Sequence, residues 1–163
     1  MAGSTAIAVA MATATPKEAY EISGPLDPAK FYPKSGVLPA VVEVRDQSGS
    51  WDTVGRTRML KLSDGGHVIE TITDTESPTY FAYELNEFQK LFGALVKGAR
   101  AEWRFDREAE GTSIRWTYTF FGKPGRGWLV SLIVKLLWGP YMHKVLPPIA
   151  NEVSRQAAAR AKA

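Results

Sequence analysis

The feature that most constrains the fold is a long amphipathic segment near the C-terminus, from Trp128 to Arg160. Its apolar residues recur at steps of three and four, which places them along one side of an α-helix. An amphipathic helix of this length needs an apolar surface to lie against. Because the rest of the chain is rich in strand-like segments, we predict one long helix held against a sheet. The apolar residues form two series: Trp128, Leu132 and Leu136, beside Leu129, Ile133, Leu137 and Tyr141, and then Met142, Leu146, Ile149 and Val153.

Two proline-containing pairs interrupt this helical pattern. Gly139-Pro140 and Pro147-Pro148 each remove backbone donors and clash with the preceding turn, so we expect a kink or a break at each. Lys135 also divides the segment into apolar pieces far shorter than the ~20 residues that span a bilayer. The sequence therefore predicts a kinked helix of a globular domain, with a helix lying on a membrane surface as the alternative. We expect the Ala-rich, basic tail 156–163 to fray.

Composition narrows the class of protein. The chain has 163 residues, of which 45% are hydrophobic, enough for a sizeable core, and we predict a single domain over 1–163. It has no cysteine, which excludes disulfides, thiolate metal sites and a cysteine nucleophile, and which fits a cytoplasmic location. The net charge of +3, with no dense basic run before the tail, indicates no nucleic-acid partner.

The rest of the chain consists of strand and turn signals. The alternation of Ile7, Val9 and Met11 indicates an opening strand, and Thr15-Pro16 starts a short helix. Asp27-Pro28 indicates a second short helix. Segment 87–98 is predicted as an irregular connection, in which Phe88, Leu91, Phe92 and Leu95 either form one helical turn or pack as a loop. Six further strands are predicted in a meander, with turns marked by Gly, Pro, Asp and Ser, at 37–47, 52–62, 67–75, 79–86, 99–107 and 112–121.

The last two predicted strands alternate between large aromatic and polar residues. Period two places the aromatic residues on one face of the sheet. This face is either an ordinary packed core or the lining of a ligand cavity, since Trp and Tyr combine apolar area with one polar tip. For a cavity, the candidate lining residues come from these strands, a central strand and the helix: Tyr83, Trp103, Phe105, Trp116, Tyr118, Phe120 and Tyr141.

Three charged residues, Arg56, Arg58 and Glu70, lie on strands that should be neighbours in the meander. They form either an outward cross-strand salt bridge or a polar group inside the cavity, where they would bind a carboxylate, hydroxyl or enolate. The two-residue alternation of a strand does not decide between the outward and the inward arrangement, because both sides of the strand at 54–62 mix polar and apolar residues. Arg56 and Arg58 are therefore candidate ligand-binding residues, and Glu70, Tyr118 and His143 are candidate acid–base groups.

Several other chemistries lack the residues they need. His67 and His143 lie on different elements with no acidic cluster at ligand spacing, so we expect no metal site. Loop 122–127 does not end in Gly-Lys-Ser/Thr, and Gly-x-Ser-x-Gly is absent, so we expect neither a nucleotide site nor nucleophilic hydrolysis. We expect no cofactor. Two basic residues of that loop, beside Trp128, suggest contact with anionic head groups.

Four short stretches carry a family resemblance: Trp-Asp-Thr-Val-Gly-Arg-Thr-Arg at 51–58, Asp-Gly-Gly at 64–66, Glu-Thr-Ile-Thr-Asp at 70–74 before Pro78, and Gly-Thr-Ser-Ile-Arg-Trp-Thr-Tyr at 111–118. With the order of strand, two short helices, six strands and a long helix, the chain resembles the polyketide cyclase/dehydrase branch of the START/Bet v 1-like (SRPBCC) superfamily. The resemblance spans about residues 6–155. It implies an α+β helix-grip fold, in which a seven-stranded curled antiparallel sheet surrounds a long, kinked C-terminal helix and leaves an apolar cavity.

The superfamily includes lipid and sterol carriers, hormone receptors, polyketide cyclases and co-chaperone domains, so the resemblance implies several functions. The first expectation is a carrier or sensor that binds a lipid-like, aromatic or polyketide-like ligand in the cavity. The alternative is a cyclase- or dehydratase-type enzyme that uses acid–base chemistry without a metal or nucleotide cofactor. The second alternative is a protein-interaction module like the co-chaperone branch. Transient contact with a membrane surface is a further expectation.

Overall fold

Seven antiparallel strands form one sheet in this structure, a computed structural model that describes residues 3–163. Met1 and Ala2 of the predicted domain lie outside the described residues. The strands are β1 (Ser4–Ala12), β2 (Val41–Arg45), β3 (Thr57–Leu62), β4 (His67–Glu76), β5 (Tyr80–Asn86), β6 (Val96–Glu108) and β7 (Gly111–Gly122). Their order is β1-β7-β6-β5-β4-β3-β2, so the meander from β2 to β7 is closed on one side by β1. The predicted helix-grip fold is confirmed.

Three short helical elements connect the strands. Helix α1 (Pro16–Ser23) begins with a capping box, in which the Glu18 amide donates to Thr15 Oγ1 at 3.2 Å and the Thr15 amide donates to the Glu18 carboxylate at 2.8 Å. A 3₁₀ turn, Pro28–Lys30, follows. Helix α2 (Lys90–Leu95) lies within the segment predicted as an irregular connection.

The C-terminal helix runs through α3 (Gly127–Ile133), a π-helical turn (Val134–Trp138) and α4 (Gly139–Ala161). The π turn is where the first predicted disruption occurs: the Gly139 amide donates to the Val134 carbonyl, five residues earlier. Pro140 then occupies the start of α4, where a missing donor matters least.

The helix does not break at the second proline pair, and it extends through most of the tail predicted to fray. Pro147 and Pro148 lie inside α4 on its exposed side, where water can reach the carbonyl groups that lose their donors. The helix continues to Ala161. It continues because Ala157 is buried and because Arg160 Nη1 donates to Glu21 Oε2 of α1 at 2.8 Å.

Helix α4 supplies the core-facing side of the C-terminal helix. Although the helix from Gly127 to Ala161 is long and apolar enough to span a membrane by length and composition, α4 packs against β1 and α1 and is a core helix. The second predicted apolar series is buried here. The buried residues of α4 are Tyr141, Met142, Val145, Leu146, Ile149, Ala150, Val153 and Ala157.

Part of the first apolar series is exposed, which corrects the prediction from helical spacing, whereas Leu129 and Ile133 are half-buried and Tyr141 is buried. Trp128, Leu132 and Leu136 are 71%, 47% and 58% exposed, and Val130 and Val134 face the interior instead. The reason is that residues 128–137 are apolar on nearly every side of the helix. Periodicity alone therefore does not identify the side that the sheet covers.

Candidate functional site

An apolar cavity of about 100 Å³ lies between the sheet and the C-terminal helix. Alternate residues of each contributing strand point into it, as the two-residue period of a strand requires. The strand residues that line it are Arg58, Leu60 and Leu62 of β3, Val68 and Glu70 of β4, Tyr83 and Leu85 of β5, and Tyr118 and Phe120 of β7. Its other walls are Trp138 and Tyr141 of the helix, Val41 of β2, four residues before β2 (Pro28, Tyr32, Leu38 and Pro39), and Phe88, Gln89 and Phe92.

Segment 88–92 forms the more accessible side of the cavity. Phe88 and Phe92 are half-buried and Gln89 is exposed. Gln89 Oε1 accepts the His67 amide at 3.1 Å, which ties this segment to the start of β4. A volume of about 100 Å³ is of the same order as the ~150 Å³ apolar cavity that holds benzene, and it is below the ~300–1,000 Å³ of typical ligand pockets. A ligand larger than one or two rings therefore requires part of the lining to move outward, and segment 88–92 contains its most exposed residue, Gln89.

One ion pair stands within this apolar lining. Arg58 Nε donates to Glu70 Oε1 at 2.7 Å, and the two side chains are only 7% and 4% exposed. The residues are directly opposite each other in the β3–β4 register, so they share a face of the sheet. Of the two alternatives left open by the sequence, the inward pair is correct, and the outward surface bridge is wrong.

Trp51 also contacts the Arg58 guanidinium. The central carbon of the guanidinium lies 4.0 Å from the Trp51 ring centroid, a cation–π contact in a buried setting. Arg56, the other predicted ligand-binding arginine, does not reach the cavity. It precedes the first residue of β3, and its Nη1 donates to the Ser48 carbonyl at 2.7 Å.

Four tyrosines surround the cavity and stay neutral at physiological pH. Burial raises the pKa of Tyr32, Tyr83 and Tyr118 well above 10, and the Glu70 carboxylate raises the pKa of all three further. Burial also raises the pKa of Tyr141 to about 12. These hydroxyls therefore donate and accept hydrogen bonds and do not act as bases near pH 7.

Two of these hydroxyls have no protein partner. Tyr141 donates to the Pro33 carbonyl at 2.8 Å, and Tyr83 accepts the Trp103 indole N–H at 3.4 Å. Within residues 3–163, no hydrogen bond engages the hydroxyl of Tyr32 or Tyr118. Both residues line the cavity, and a polar group that borders a cavity without a partner in the protein is a natural place for a ligand or water to bind.

Trp138 is the main site residue that sequence reasoning missed. Its ring packs edge-on against Tyr118 at 4.8 Å and Phe120 at 5.3 Å and lies 5.3 Å from Tyr141, measured between centroids. Its indole N–H is buried without a partner among the described residues. Tyr32 was missed as a site residue too, because it lies in an irregular segment without periodicity. The only signal for Trp138 was its spacing, three residues before the predicted Tyr141.

Three of the predicted lining residues belong to the packed core instead. Trp116 is fully buried and its ring stacks on Trp103 at 5.2 Å, while Phe105 packs against Phe81 at 5.9 Å. None of Trp103, Phe105 and Trp116 lines the cavity, although Trp103 borders a void of about 30 Å³ beside it. Rings of the aromatic face fill this part of the interior, whereas Tyr83, Tyr118, Phe120 and Tyr141 line the cavity.

The three candidate acid–base residues are not brought together. Glu70 and Tyr118 both line the cavity, but His143 is exposed on α4. Its Nδ1 donates to the Gly139 carbonyl of its own helix at 2.7 Å. His143 therefore lies outside the cavity, so the prediction that it transfers protons to a ligand in the cavity is wrong. Across residues 3–163 no group of three His, Asp or Glu side chains is placed to bind a metal ion.

A second, larger cleft of about 470 Å³ lies between α1 and the start of β5. Its lining is more polar and includes Glu21, Gln47, Ser50 and Asp52, all of which are exposed or half-exposed. It holds no buried charge. The smaller cavity is the better candidate site, because burial and a fixed ion pair give it both apolar area and polar specificity.

Comparison with known proteins places the chain in a family. A family model described as polyketide cyclase / dehydrase and lipid transport matches residues 8–153. No curated protein matches the chain.

Solved structures with the same fold have little sequence identity to it. The Bet v 1-type allergen Ara h 8.0201 is 15% identical, with a TM-score of 0.59 over 91% of this chain and 98% of that one. The XoxI protein from Bacillus cereus is 13% identical, with a TM-score of 0.61 over 91% and 94%. The di-domain ARO/CYC protein StfQ of the steffimycin pathway is 13% identical, with a TM-score of 0.66 over 96% of this chain and 52% of that one. At these identities the likeness shows the fold alone.

Proposed function

This chain belongs to the polyketide cyclase/dehydrase and lipid transport family of the SRPBCC superfamily, and we propose that it binds a small hydrophobic ligand as a carrier or sensor. The observation that carries the proposal is the cavity itself: an apolar lining that contains one ion pair, Arg58–Glu70, and two unpartnered hydroxyls, Tyr32 and Tyr118. A lining with few, fixed polar groups is typical of sites that bind by burial and orient by hydrogen bonds.

The lining favours a ligand with a flat apolar body and one polar end. Trp138, Tyr118 and Phe120 offer ring faces and edges for an aromatic or polyketide-like body, and Leu60 and Val68 offer aliphatic area for a lipid-like chain. Burial contributes about 25 cal/mol per Å² of apolar area before the entropic cost of association. The polar end would lie beside Arg58 and the Tyr118 hydroxyl, which suit a carbonyl, hydroxyl or carboxylate oxygen.

A cyclase- or dehydratase-type enzyme is the second candidate. The observation that favours it is that Glu70, a carboxylate, lies in the same cavity as the neutral Tyr118 hydroxyl. Proton transfer needs a base free to accept a proton. Here Arg58 occupies one Glu70 oxygen, and the tyrosines stay protonated because their pKa values are raised. These features support binding more strongly than turnover.

A protein-interaction module is the weakest of the three functions considered. A domain that serves only as a partner surface needs a filled core, whereas this interior keeps an unfilled space of about 100 Å³. We also propose a cytoplasmic location, in keeping with a chain that has no cysteine.

Native mass spectrometry of the freshly purified protein tests the proposed function, followed by solvent extraction of bound molecules and challenge with fatty acids, sterols and aromatic polyketides. We expect a discrete added mass that denaturation removes, and a Leu60→Trp variant, which fills the cavity, should lose it. The matched control is Ile114→Leu, a core change away from the cavity, which should retain the ligand. A clean apo mass after every challenge would refute a binding role.

The same mass-spectrometric measurement, applied to a further variant, distinguishes a carrier from an enzyme. Glu70→Gln keeps a hydrogen-bond acceptor beside Arg58 but removes the carboxylate. If the protein is a carrier, the variant should bind ligand and the wild type should return the extracted ligand chemically unchanged. Conversion of an added ligand by the wild type and not by Glu70→Gln, at equal occupancy, would favour the enzyme.

A further inference from the structure

The first half of the C-terminal helix has an apolar side that nothing in residues 3–163 covers. Trp128, Leu132 and Leu136 follow one another at steps of four and therefore lie on one side of the helix. They are 71%, 47% and 58% exposed, and Leu91 of the neighbouring α2 is 54% exposed. We call these four residues the apolar patch. A tryptophan exposed to this extent is uncommon on a surface that meets only water.

On the C-terminal helix and the loop before it, the charge beside the apolar patch has one sign. From residue 111 to residue 151 the chain has no Asp or Glu, while Lys123, Arg126 and Lys135 are all exposed beside the patch. Lys123 Nζ donates to the Gly93 carbonyl, so it ties the loop before α3 to α2. An apolar surface edged by cations is complementary to an anionic lipid surface, where Trp also prefers to lie.

The apolar patch adjoins the accessible side of the cavity. Leu91 lies in sequence between Phe88 and Phe92, both of which line the cavity. On the helix, Leu136 is followed two residues later by Trp138, which also lines it. A surface that holds the patch would therefore meet the protein at the segment through which a ligand would enter.

We propose that the apolar patch docks the protein onto an anionic phospholipid surface, with Trp128 inserted among the lipid head groups and Lys123, Arg126 and Lys135 against their phosphates. The docking stands on the exposed patch and its charge. Only the further step, passage of the ligand between membrane and cavity, rests on the proposed function.

Charge also argues against a second copy of the chain as the occupant. A two-fold dimer through this side would bring the same residues of both copies together, including their lysines and arginine. With no acidic residue between 111 and 151, nothing on this part of the helix would offset that repulsion. Membrane insertion of the whole helix is excluded by α4, whose apolar side belongs to the core.

Co-sedimentation with lipid vesicles tests the proposal. The full-length protein is mixed with vesicles of phosphatidylcholine alone or with one third phosphatidylglycerol, at low and high salt. We expect binding to the anionic vesicles that falls at high salt, because each basic residue near a charged surface contributes about a fivefold change in partitioning. Leu132→Ser with Leu136→Ser should reduce binding at least tenfold, and Lys123→Gln with Arg126→Gln should remove most of its salt dependence.

The control is a second exposed apolar strip of similar exposure, on the outward face of β1. Ile7 and Met11 on β1 are 47% and 50% exposed, and Ile7→Ser with Met11→Ser should leave vesicle binding unchanged. Equal binding of all variants, or binding to neutral and anionic vesicles alike, would overturn the proposal. So would a concentration-dependent dimer in sedimentation velocity that Leu136→Ser abolishes, because the occupant would then be a second copy.

Failure of this proposal is separable from failure of the proposed function. Ligand occupancy is measured by native mass spectrometry in the absence of vesicles, so a protein that binds ligand but no vesicle refutes the docking alone. A protein that binds anionic vesicles but holds no ligand refutes the cavity's role alone.

Discussion

Arg58 and Glu70 are cross-strand partners on β3 and β4 whose charged groups meet inside the protein, with 2.7 Å between Nε and Oε1. Both belong to the cavity lining, which is otherwise mainly apolar. The interaction therefore affects two properties at once: the stability of a domain that must bury the two charges, and the polarity of the space in which a ligand would lie.

Removing one member of this pair should cost far more than removing both. Glu70→Leu leaves the Arg58 guanidinium buried without its counter-charge, so we expect the free energy of unfolding to fall by about 3–5 kcal/mol. Arg58→Met combined with Glu70→Leu replaces the pair by apolar residues of similar volume and should recover most of that loss. Urea denaturation measures both. Equal destabilisation in the single and double variants would show that the ion pair is not what the fold depends on.

Tyr141 and Tyr118 should separate stability from ligand binding. Tyr141→Phe removes the 2.8 Å hydrogen bond to the Pro33 carbonyl, so we expect a loss of about 0.5–1.5 kcal/mol in unfolding free energy. Tyr118→Phe removes a hydroxyl without a protein partner, so the unfolding free energy should change little while ligand affinity falls. Thermal melts and ligand titration provide the two readouts. A Tyr118→Phe protein that binds ligand as tightly as the wild type would exclude this hydroxyl from the site.

The raised pKa values of the tyrosines predict how the free energy of unfolding depends on pH. Every one of the six tyrosines has a raised pKa in the folded state, and that of Tyr141 is raised by burial to about 12. Above pH 10 the unfolded chain loses phenol protons that the folded chain retains, so the free energy of unfolding falls as pH rises through this range. We expect little phenolate absorbance at 295 nm at pH 10, then a cooperative rise that coincides with loss of the circular dichroism signal. Six independent titrations near pH 10 in a folded protein would contradict the buried cluster.

Gly93 should control the mobility of the segment beside the cavity. A Cβ at this position would lie 2.4 Å from the Phe88 carbonyl oxygen, so Gly93→Ala should displace segment 88–92 at a cost of about 1–3 kcal/mol. Amide hydrogen exchange of residues 88–95 should accelerate, and ligand exchange with it. Gly127→Ala is the control, because its Cβ would meet no atom within 4 Å. Unchanged exchange in Gly93→Ala would mean that the segment absorbs the methyl group without opening.

The strands were largely predictable from the sequence because one face of each is buried, and burial produces alternation. The last two show this best, since Trp116, Tyr118 and Phe120 all face inward. The start of β3 was wrong by five residues. Gly55 adopts a φ of +92°, which an extended strand does not allow, so the chain turns there and β3 begins at Thr57.

The division of the interior into packed core and open cavity was not predictable. Trp116 and Tyr118 are neighbours on the same face of β7, yet one is stacked among rings and the other borders the cavity. Which of them meets empty space depends on how far the helix stands from the sheet, a distance that no local pattern contains. For the same reason the direction of Arg58 was left open, although its pairing with Glu70 followed correctly from the meander.

The π-helical turn at Val134–Trp138 joins the two parts of the C-terminal helix, α3 and α4. A single wide turn adds about one residue to the helical repeat and rotates everything beyond it relative to everything before it. Before it, Val130 is buried; Trp138, the last residue of the turn, and Tyr141, beyond it, face the cavity. The extra residue thus accommodates Pro140 without ending the helix, so that Val134 before the Gly139-Pro140 pair and Val145 beyond it are both buried.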